Sequence, residues 1–255
     1  MKKEIVIARV DEACRLNGLY TLLKLSRTDG GSFAGTRPGQ FVEVQVPGGE
    51  TLLRRPISVN NVDEAGRLWL LVRKAGRGTA RLVEMTAGDS LNIVTPLGNG
   101  FTVDFAPGSR VLLAGGGVGV APMLYLGKYL KDKGADVEFL LAARSKGDLL
   151  ELEEFEKIAP VNISTDDGSA GEPGLITANS ALGRDWDMVC VCGPAPMMRA
   201  VADICRRRDI ECEVSLENMM ACGVGACLCC VEKTVKGNVC VCTEGPVFNI
   251  KQLTW

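Results

Sequence analysis

Over the first hundred residues, apolar and polar positions alternate along short runs that read as strands: EIVIARV, LYTLLKLS, QFVEVQV, RPISVNNV, RLWLLVRKA and SLNIVTP. Turn signals such as DGG, RPGQ, PGGE and DEAG separate most of them. One helical stretch, Thr79 to Met85, interrupts the series. Strands at this spacing predict a closed antiparallel barrel, which leaves no exposed edge; a two-sheet sandwich is the alternative that periodicity does not separate.

The segment PLGNGF (Pro96 to Phe101) punctuates the chain, and the pattern then changes. Continuous apolar runs (RVLLA, VEFLLAAR, VNIST, MVCVCG) alternate with helical stretches (MLYLGKYLKDKGA, ELEEFEKIA, ITANSAL, MMRAVADICRRR). That alternation predicts a parallel sheet covered by helices. From Glu211 onward short strands (ECEVSLE, CCVEKTV, NVCVC) lie in a Cys- and Gly-rich context. The expected division is a β-barrel over residues 1–101, an α/β domain over 102–212 and a small third domain over 213–255.

Composition narrows the chemistry. Hydrophobic residues at 46% and charged residues at 24% exclude a disordered chain. A net charge of −2 offers no basic excess for tracking phosphates, so no nucleic-acid partner is expected. The chain has 0 His, which excludes His-based acid–base or nucleophilic catalysis and His-ligated metals. Neither an export segment nor a membrane span is expected, and the expected compartment is the reducing cytoplasm. Of 11 cysteines, all but Cys14 lie at or after Cys190. Such one-ended clustering points to a metal centre rather than a disulfide framework.

Cys222, Cys227 and Cys230 follow the spacing C-x4-C-x2-C, the plant-type [2Fe–2S] pattern, with a further cysteine beyond a hairpin-sized gap. Small residues (Gly223, Gly225, Ala226) let backbone N–H groups approach the sulfurs. The fourth ligand is Cys240 or Cys242, which would share one face of a strand; Cys242, just before the turn TEGP, is preferred. Cys229 is a spare thiol. A four-cysteine zinc site is the alternative, although zinc ribbons usually carry two C-x2-C knuckles and only one exists here. Cys14, Cys190, Cys192, Cys205 and Cys212 are expected to be small core residues.

Two turns suit a nucleotide. Gly115, Gly116, Gly117 and Gly119 follow an apolar strand and precede a helix with Pro122 in its first turn, the context of a phosphate-cradling loop. Close helix–strand packing without a ligand is the competing reading. Cys192, Gly193 and Pro194 form a second strand–turn–helix junction, and both turns would line one crevice beyond the carboxyl ends of the strands. Arg144 and Lys146 follow the second strand of this sheet and either receive a 2′-phosphate or are solvated. In the barrel, Arg55 and Ser58 could hold a pyrophosphate, with Gly78 and Thr79 donating from the short helix.

RPIS, GRGT, PLGNGF, GGGVGVAP, CGPAPMM and ACGVGACLCC…CTEGPVF occur in this order. Together they resemble the ferredoxin–NADP reductase superfamily with a C-terminal [2Fe–2S] domain, and within it the family of electron-transfer subunits of dihydroorotate dehydrogenase B. The likeness covers essentially the whole chain. It implies FAD in the barrel, with Arg55, Pro56, Ile57 and Ser58 at the flavin and pyrophosphate. It also implies Leu71, Val72 and Arg73 along the cofactor edge, and Gly78 and Thr79 at phosphate. NAD would lie at Gly116, Gly117, Gly119 and Pro122 and at Cys192, Gly193 and Pro194; the cluster would sit on Cys222, Cys227, Cys230 and Cys242. The implied partner is an FMN-containing dihydroorotate dehydrogenase catalytic subunit, in a heterotetramer of two of each. Two departures from the family pattern stand out: no Ser or Thr precedes the glycines, and Thr95 stands where Gly is common.

The redox parts fix the order of transfer. A cluster passes single electrons, a nicotinamide exchanges a hydride, and a flavin does both. The expected sequence is partner flavin, cluster, FAD, NAD+. No residue is expected to deprotonate a substrate carbon, so no catalytic side chain is assigned. The competing readings are a subunit linking NAD(P)H to ferredoxin, sulfide or hydrogenase chemistry, and a zinc-stabilised binding module.

Overall fold

The computed structural model describes residues 3–49 and 51–255. The chain divides into two compact units. The first comprises Met1–Gly100, Asn218–Glu232 and Val239–Pro246; the second comprises Phe101–Glu217, Lys233–Asn238 and Val247–Trp255. The C-terminal region from residue 213 is thus shared between the two.

In the first unit, β1 (Glu4–Arg15), β2 (Tyr20–Arg27), β3 (Phe41–Val44), β4 (Arg55–Val62), β5 (Leu68–Arg73) and β6 (Ser90–Leu97) close an antiparallel barrel in the order β1-β2-β5-β4-β3-β6. Closure satisfies every strand edge, and the inward half of the alternating pattern fills the interior. Leu23, Leu25, Leu68, Leu70, Leu91 and Ile93 are fully buried there. Helix α1 (Arg77–Val83) follows β5, and Thr21 Oγ1 donates to the Val83 carbonyl at 3.0 Å, fixing its last turn against β2. Cys14 departs from expectation: it lies exposed near the outer end of β1.

The second unit is built on one seven-stranded sheet. Its strands are β7 (Arg110–Gly116), β8 (Asp136–Ala143), β9 (Val161–Thr165), β10 (Glu172–Pro173), β11 (Met188–Cys192), β12 (Glu211–Ser215) and β15 (Val247–Asn249). They lie in the order β10-β9-β8-β7-β11-β12-β15, and all neighbours pair in parallel except β12 and β15. Helices α2 (Ala121–Asp132), α3 (Leu152–Glu156) and α4 (Ala195–Arg208) connect them. Phe139 of β8 meets Phe155 of α3 edge-to-face at 4.8 Å. The strand order reverses direction between β7 and β11, so the chain leaves these adjacent strands toward opposite sides.

Two expectations are corrected here. The stretch ITANSAL forms two 3-10 turns (Ile176–Ala178 and Ser180–Gly183) rather than a helix. Asn179 between them is extended, and its amide donates to the Ile163 carbonyl and Ser164 Oγ while its carbonyl oxygen accepts from Ala181 N. Those bonds stabilise the break, since Asn competes with helix wherever its side chain can bond backbone. The run NVCVC is not wholly strand: β14 (Gly237–Cys240), paired with β13 (Val231–Thr234), stops at Cys240, and Val241–Glu244 form a helical turn, α5. Cys240 and Cys242 therefore do not share a strand face.

Candidate iron–sulfur, flavin and nucleotide sites

The cysteine turn is shaped from its own backbone. Gly223 and Gly225 sit at φ +66° and +82° and Leu228 at φ +60°, so the chain coils back on itself across the cysteines. The coil turns amides toward sulfur. Val224 N donates to Cys222 Sγ at 3.4 Å, Gly225 N to Cys242 Sγ at 3.1 Å, and Cys242 N to Cys230 Sγ at 3.4 Å. Burial opposes ionisation of the Cys222 thiol, but the amides of Val224, Cys227 and Ala226 outweigh it and hold the group down at about 6. Burial foremost, with the neighbouring Cys230 thiol adding to it, pushes Cys242 up to about 12. Cys230 and Cys242 are buried, Cys222 and Cys240 half-buried, and Cys227 and Cys229 exposed. Amides aimed at two of the four expected sulfurs from within the loop, and at a third from Cys242 itself, suit a thiolate-held cluster.

The turn holding Cys242 is docked by the barrel segment read from the sequence as mere punctuation. Asn99 Nδ2 donates to the Thr243 and Glu244 carbonyls, each at 3.0 Å, and Asn99 N to the Gly245 carbonyl at 2.6 Å. A Cβ on Gly98 would stand 2.5 Å from Pro246 Cδ. Sequence reasoning missed this role because both partners look like isolated turns.

Glu43 on β3 was also missed. It is 0% exposed, and neither carboxyl oxygen has a hydrogen-bond partner. Burial pushes its carboxyl up to about 7, against the pull of Arg54.

The residues expected at the flavin lie on β4, β5 and α1 of the barrel unit. Pairing between β4 and β5 runs from Val62↔Leu68 to Val59↔Leu70 and stops there. Beyond it, Arg55 to Ser58 pair with β3 and Leu71 to Arg73 with β2, so the two strand ends part. Ile57, Leu71 and Val72 are buried and Arg73 is exposed. Gly78 lies against the Arg55 guanidinium, where a Cβ would come within 2.7 Å of Nε. Arg55 Nη1 donates to the Leu53 and Arg54 carbonyls at 2.7 and 3.0 Å. The Thr79 hydroxyl accepts from Ala75 N and Gly76 N at 2.8 and 3.1 Å, capping its own helix. A parted strand pair with an arginine seated on a glycine at its mouth fits a planar ring linked to a pyrophosphate.

In the second unit the two glycine turns lie side by side, with Cys192 opposite Gly115 in the sheet register. Gly117 to Val120 form a 3-10 turn before α2, which carries Pro122 in its first turn. A Cβ on Gly119 would stand 2.4 Å from the Cys192 carbonyl oxygen, and one on Gly116 2.4 Å from Met197 Sδ. Gly119 thus allows close backbone packing and Gly116 leaves room for the Met197 side chain, which brings both turns to the point where the strand order reverses; that is where nucleotides bind in open α/β sheets. Arg144 and Lys146 are exposed just beyond β8.

Residues 217–254 match the family model "Iron-sulfur cluster binding domain of dihydroorotate dehydrogenase B", and residues 113–203 match "Oxidoreductase NAD-binding domain". An electron transfer subunit of dihydroorotate dehydrogenase B (NAD(+)) from Desulforamulus reducens is 43% identical over 86% of this chain and 87% of its own. Its counterpart from Shouchella clausii is 40% identical over 86% of each. The chain belongs to the family of dihydroorotate dehydrogenase B electron transfer subunits. Among solved structures, an NADH-dependent reduced ferredoxin–NADP oxidoreductase studied for flavin-based electron bifurcation superposes with a TM-score of 0.86 at 28% identity, covering 97% of this chain and 90% of that one. Members of this family are oxidoreductase components, and membership implies a catalytic partner subunit. No helix among the described residues is long and apolar enough to cross a membrane.

Proposed function

We propose that this chain carries electrons from the FMN of a dihydroorotate dehydrogenase catalytic subunit, through a [2Fe–2S] cluster and FAD, to NAD+. The net reaction is dihydroorotate + NAD+ → orotate + NADH + H+, a step of pyrimidine synthesis. The observation that carries this reading is the cysteine turn with its amides directed at sulfur. When bound, the flavin exchanges hydride with nicotinamide and single electrons with the cluster.

The chain's own residues bind, orient and shield. Cys222, Cys227, Cys230 and Cys242 are the proposed ligands. Gly225 N on Cys242 and the burial of that thiol favour it over half-buried Cys240. Arg55, Pro56, Ile57 and Ser58, with Leu71, Val72 and Arg73, frame the flavin, and Arg55 with Gly78 takes the pyrophosphate. Thr79 acts by holding the start of α1, because its hydroxyl is already engaged. Gly116, Gly117, Gly119 and Pro122, with Cys192, Gly193 and Pro194, form the nucleotide turns. We assign these tasks to segments 1–101, 102–212 and 213–255; the division is one of chemistry and not of folding units.

Met219 (83% exposed), Leu228 (65%) and Val224 (44%), with half-buried Met220, lie on or beside the cysteine turn. We assign this apolar surface to contact with the FMN subunit, in a heterotetramer of two of each. Ligand thiolates need a reducing compartment, which supports the cytoplasm.

Mixing the chain with its catalytic subunit is expected to give dihydroorotate-dependent reduction of NAD+. A pair inert to dihydroorotate, in which NADH still reduces the flavin, would contradict the reading. A link to ferredoxin is the second reading, favoured by the likeness to the ferredoxin–NADP oxidoreductase. That reading predicts NAD+ reduction by reduced ferredoxin without any partner.

A further inference from the structure

A buried carboxyl with no hydrogen-bond partner costs several kcal/mol relative to an apolar side chain of the same shape. Glu43 is such a group, and it lies in the middle of a barrel strand where the flanking positions are Val42 and Val44. Its backbone is ordinary: it pairs with Pro56 of β4 and Val94 of β6, and its carbonyl accepts from Arg54 Nη1 at 3.2 Å.

Two arginines are close enough to pull on the carboxyl, yet neither bonds it. Arg54 spends its guanidinium on the Glu43 carbonyl, the Asn92 carbonyl and Asn92 Oδ1. Arg55 gives its Nη1 to the Leu53 and Arg54 carbonyls. Instead the side chain is capped by the cysteine turn. A Cβ on Gly223 would stand 2.7 Å from Glu43 Cγ and 3.3 Å from Oε1, and 3.0 Å from Leu97 Cδ1. Position 223 therefore has no room for a side chain, and the carboxyl sits directly beneath the residue that follows Cys222.

This placement rests on the proposed cluster site. We infer that Glu43 is a positioning residue for the iron–sulfur cluster: from beneath the Cys222–Gly223 turn its carboxylate biases the cluster against accepting an electron. In a low-dielectric site the negative charge this carboxyl carries once ionised disfavours the added charge of reduction far more than a solvated one would. A neutral side chain of the same shape removes that bias. A merely structural role, filling space under Gly223, would be met equally well by glutamine or methionine and would leave the electron equilibrium alone.

The test is an anaerobic redox titration of the intact protein at pH 8.5, followed by electron paramagnetic resonance of the reduced cluster, for wild type, Glu43→Gln and Glu43→Met. Iron and sulfide are measured on the same samples. At the wild-type midpoint both variants are expected to hold the cluster at a reduced-to-oxidised ratio of about ten or more, equivalent to about 59 mV for a one-electron couple. Loaded variants whose ratio stays near one would overturn the inference. Loss of iron from both variants while wild type keeps it would also overturn it, by making the role one of packing. Absence of iron from wild type itself would instead strike the proposed cluster site.

Discussion

Replacing Cys242 with alanine is expected to strip the protein of iron while leaving FAD in place, whereas Cys240→Ala keeps both. Cys242 is fully buried on the helical turn Val241–Glu244, receives the Gly225 amide at 3.1 Å, and donates its own amide to Cys230 Sγ. Removing its sulfur leaves three thiolates for a core that needs four. Cys240 ends a strand, is half-buried, and its Sγ lies 4.0 Å from the Gly225 carbonyl oxygen, whereas Cys242 Sγ accepts the Gly225 amide. Dihydroorotate-dependent NAD+ reduction by the Cys242→Ala complex should vanish, while NADH still bleaches the flavin absorbance. Iron analysis and a visible spectrum check both variants. Retention of iron by Cys242→Ala together with its loss from Cys240→Ala would reverse the ligand assignment.

Gly119→Ala is expected to damage the nucleotide-binding unit although it adds a single methyl. The new Cβ would lie 2.4 Å from the Cys192 carbonyl oxygen, 2.5 Å from its carbon and 2.6 Å from Gly193 Cα. These atoms are backbone at the end of a central strand, so no side chain can swing away. Overpacking of this kind costs about 1–3 kcal/mol, which corresponds to a fall in melting temperature of roughly 3–10 °C. Separating the two glycine turns also misplaces the nucleotide, and an error near 1 Å can cost about a hundredfold in rate. NADH-driven reduction of bound FAD should fall by about tenfold or more, read by stopped-flow at the flavin band. A variant with unchanged melting temperature and unchanged rate would show that the two turns do not need this contact.

Much of the architecture was legible because local pattern and final burial agree. RPISVNNV is β4 from first residue to last, and the apolar runs RVLLA and MVCVC became adjacent parallel strands of one sheet. The cysteine spacing pointed to its chemistry without any structure. Legibility failed where the deciding partner lies far along the chain. Asn179 breaks ITANSAL by bonding β9, which no helical periodicity can register. β15 is three residues long and exists through its antiparallel pairing with β12. In FVEV, alternation alone gives Glu43 an outward, solvated side; a turn from the other end of the sequence covers it. Asn99 reads as a turn residue because the carbonyls it donates to, those of Thr243 and Glu244, lie near the other end of the chain.

The sharpest check is elemental. Protein isolated under strict anaerobiosis, before any partner is added, should contain two irons, two acid-labile sulfides and one FAD per chain. Material holding flavin but no sulfide, or zinc in place of iron, would contradict the idea that this fold exists to turn single electrons into hydride.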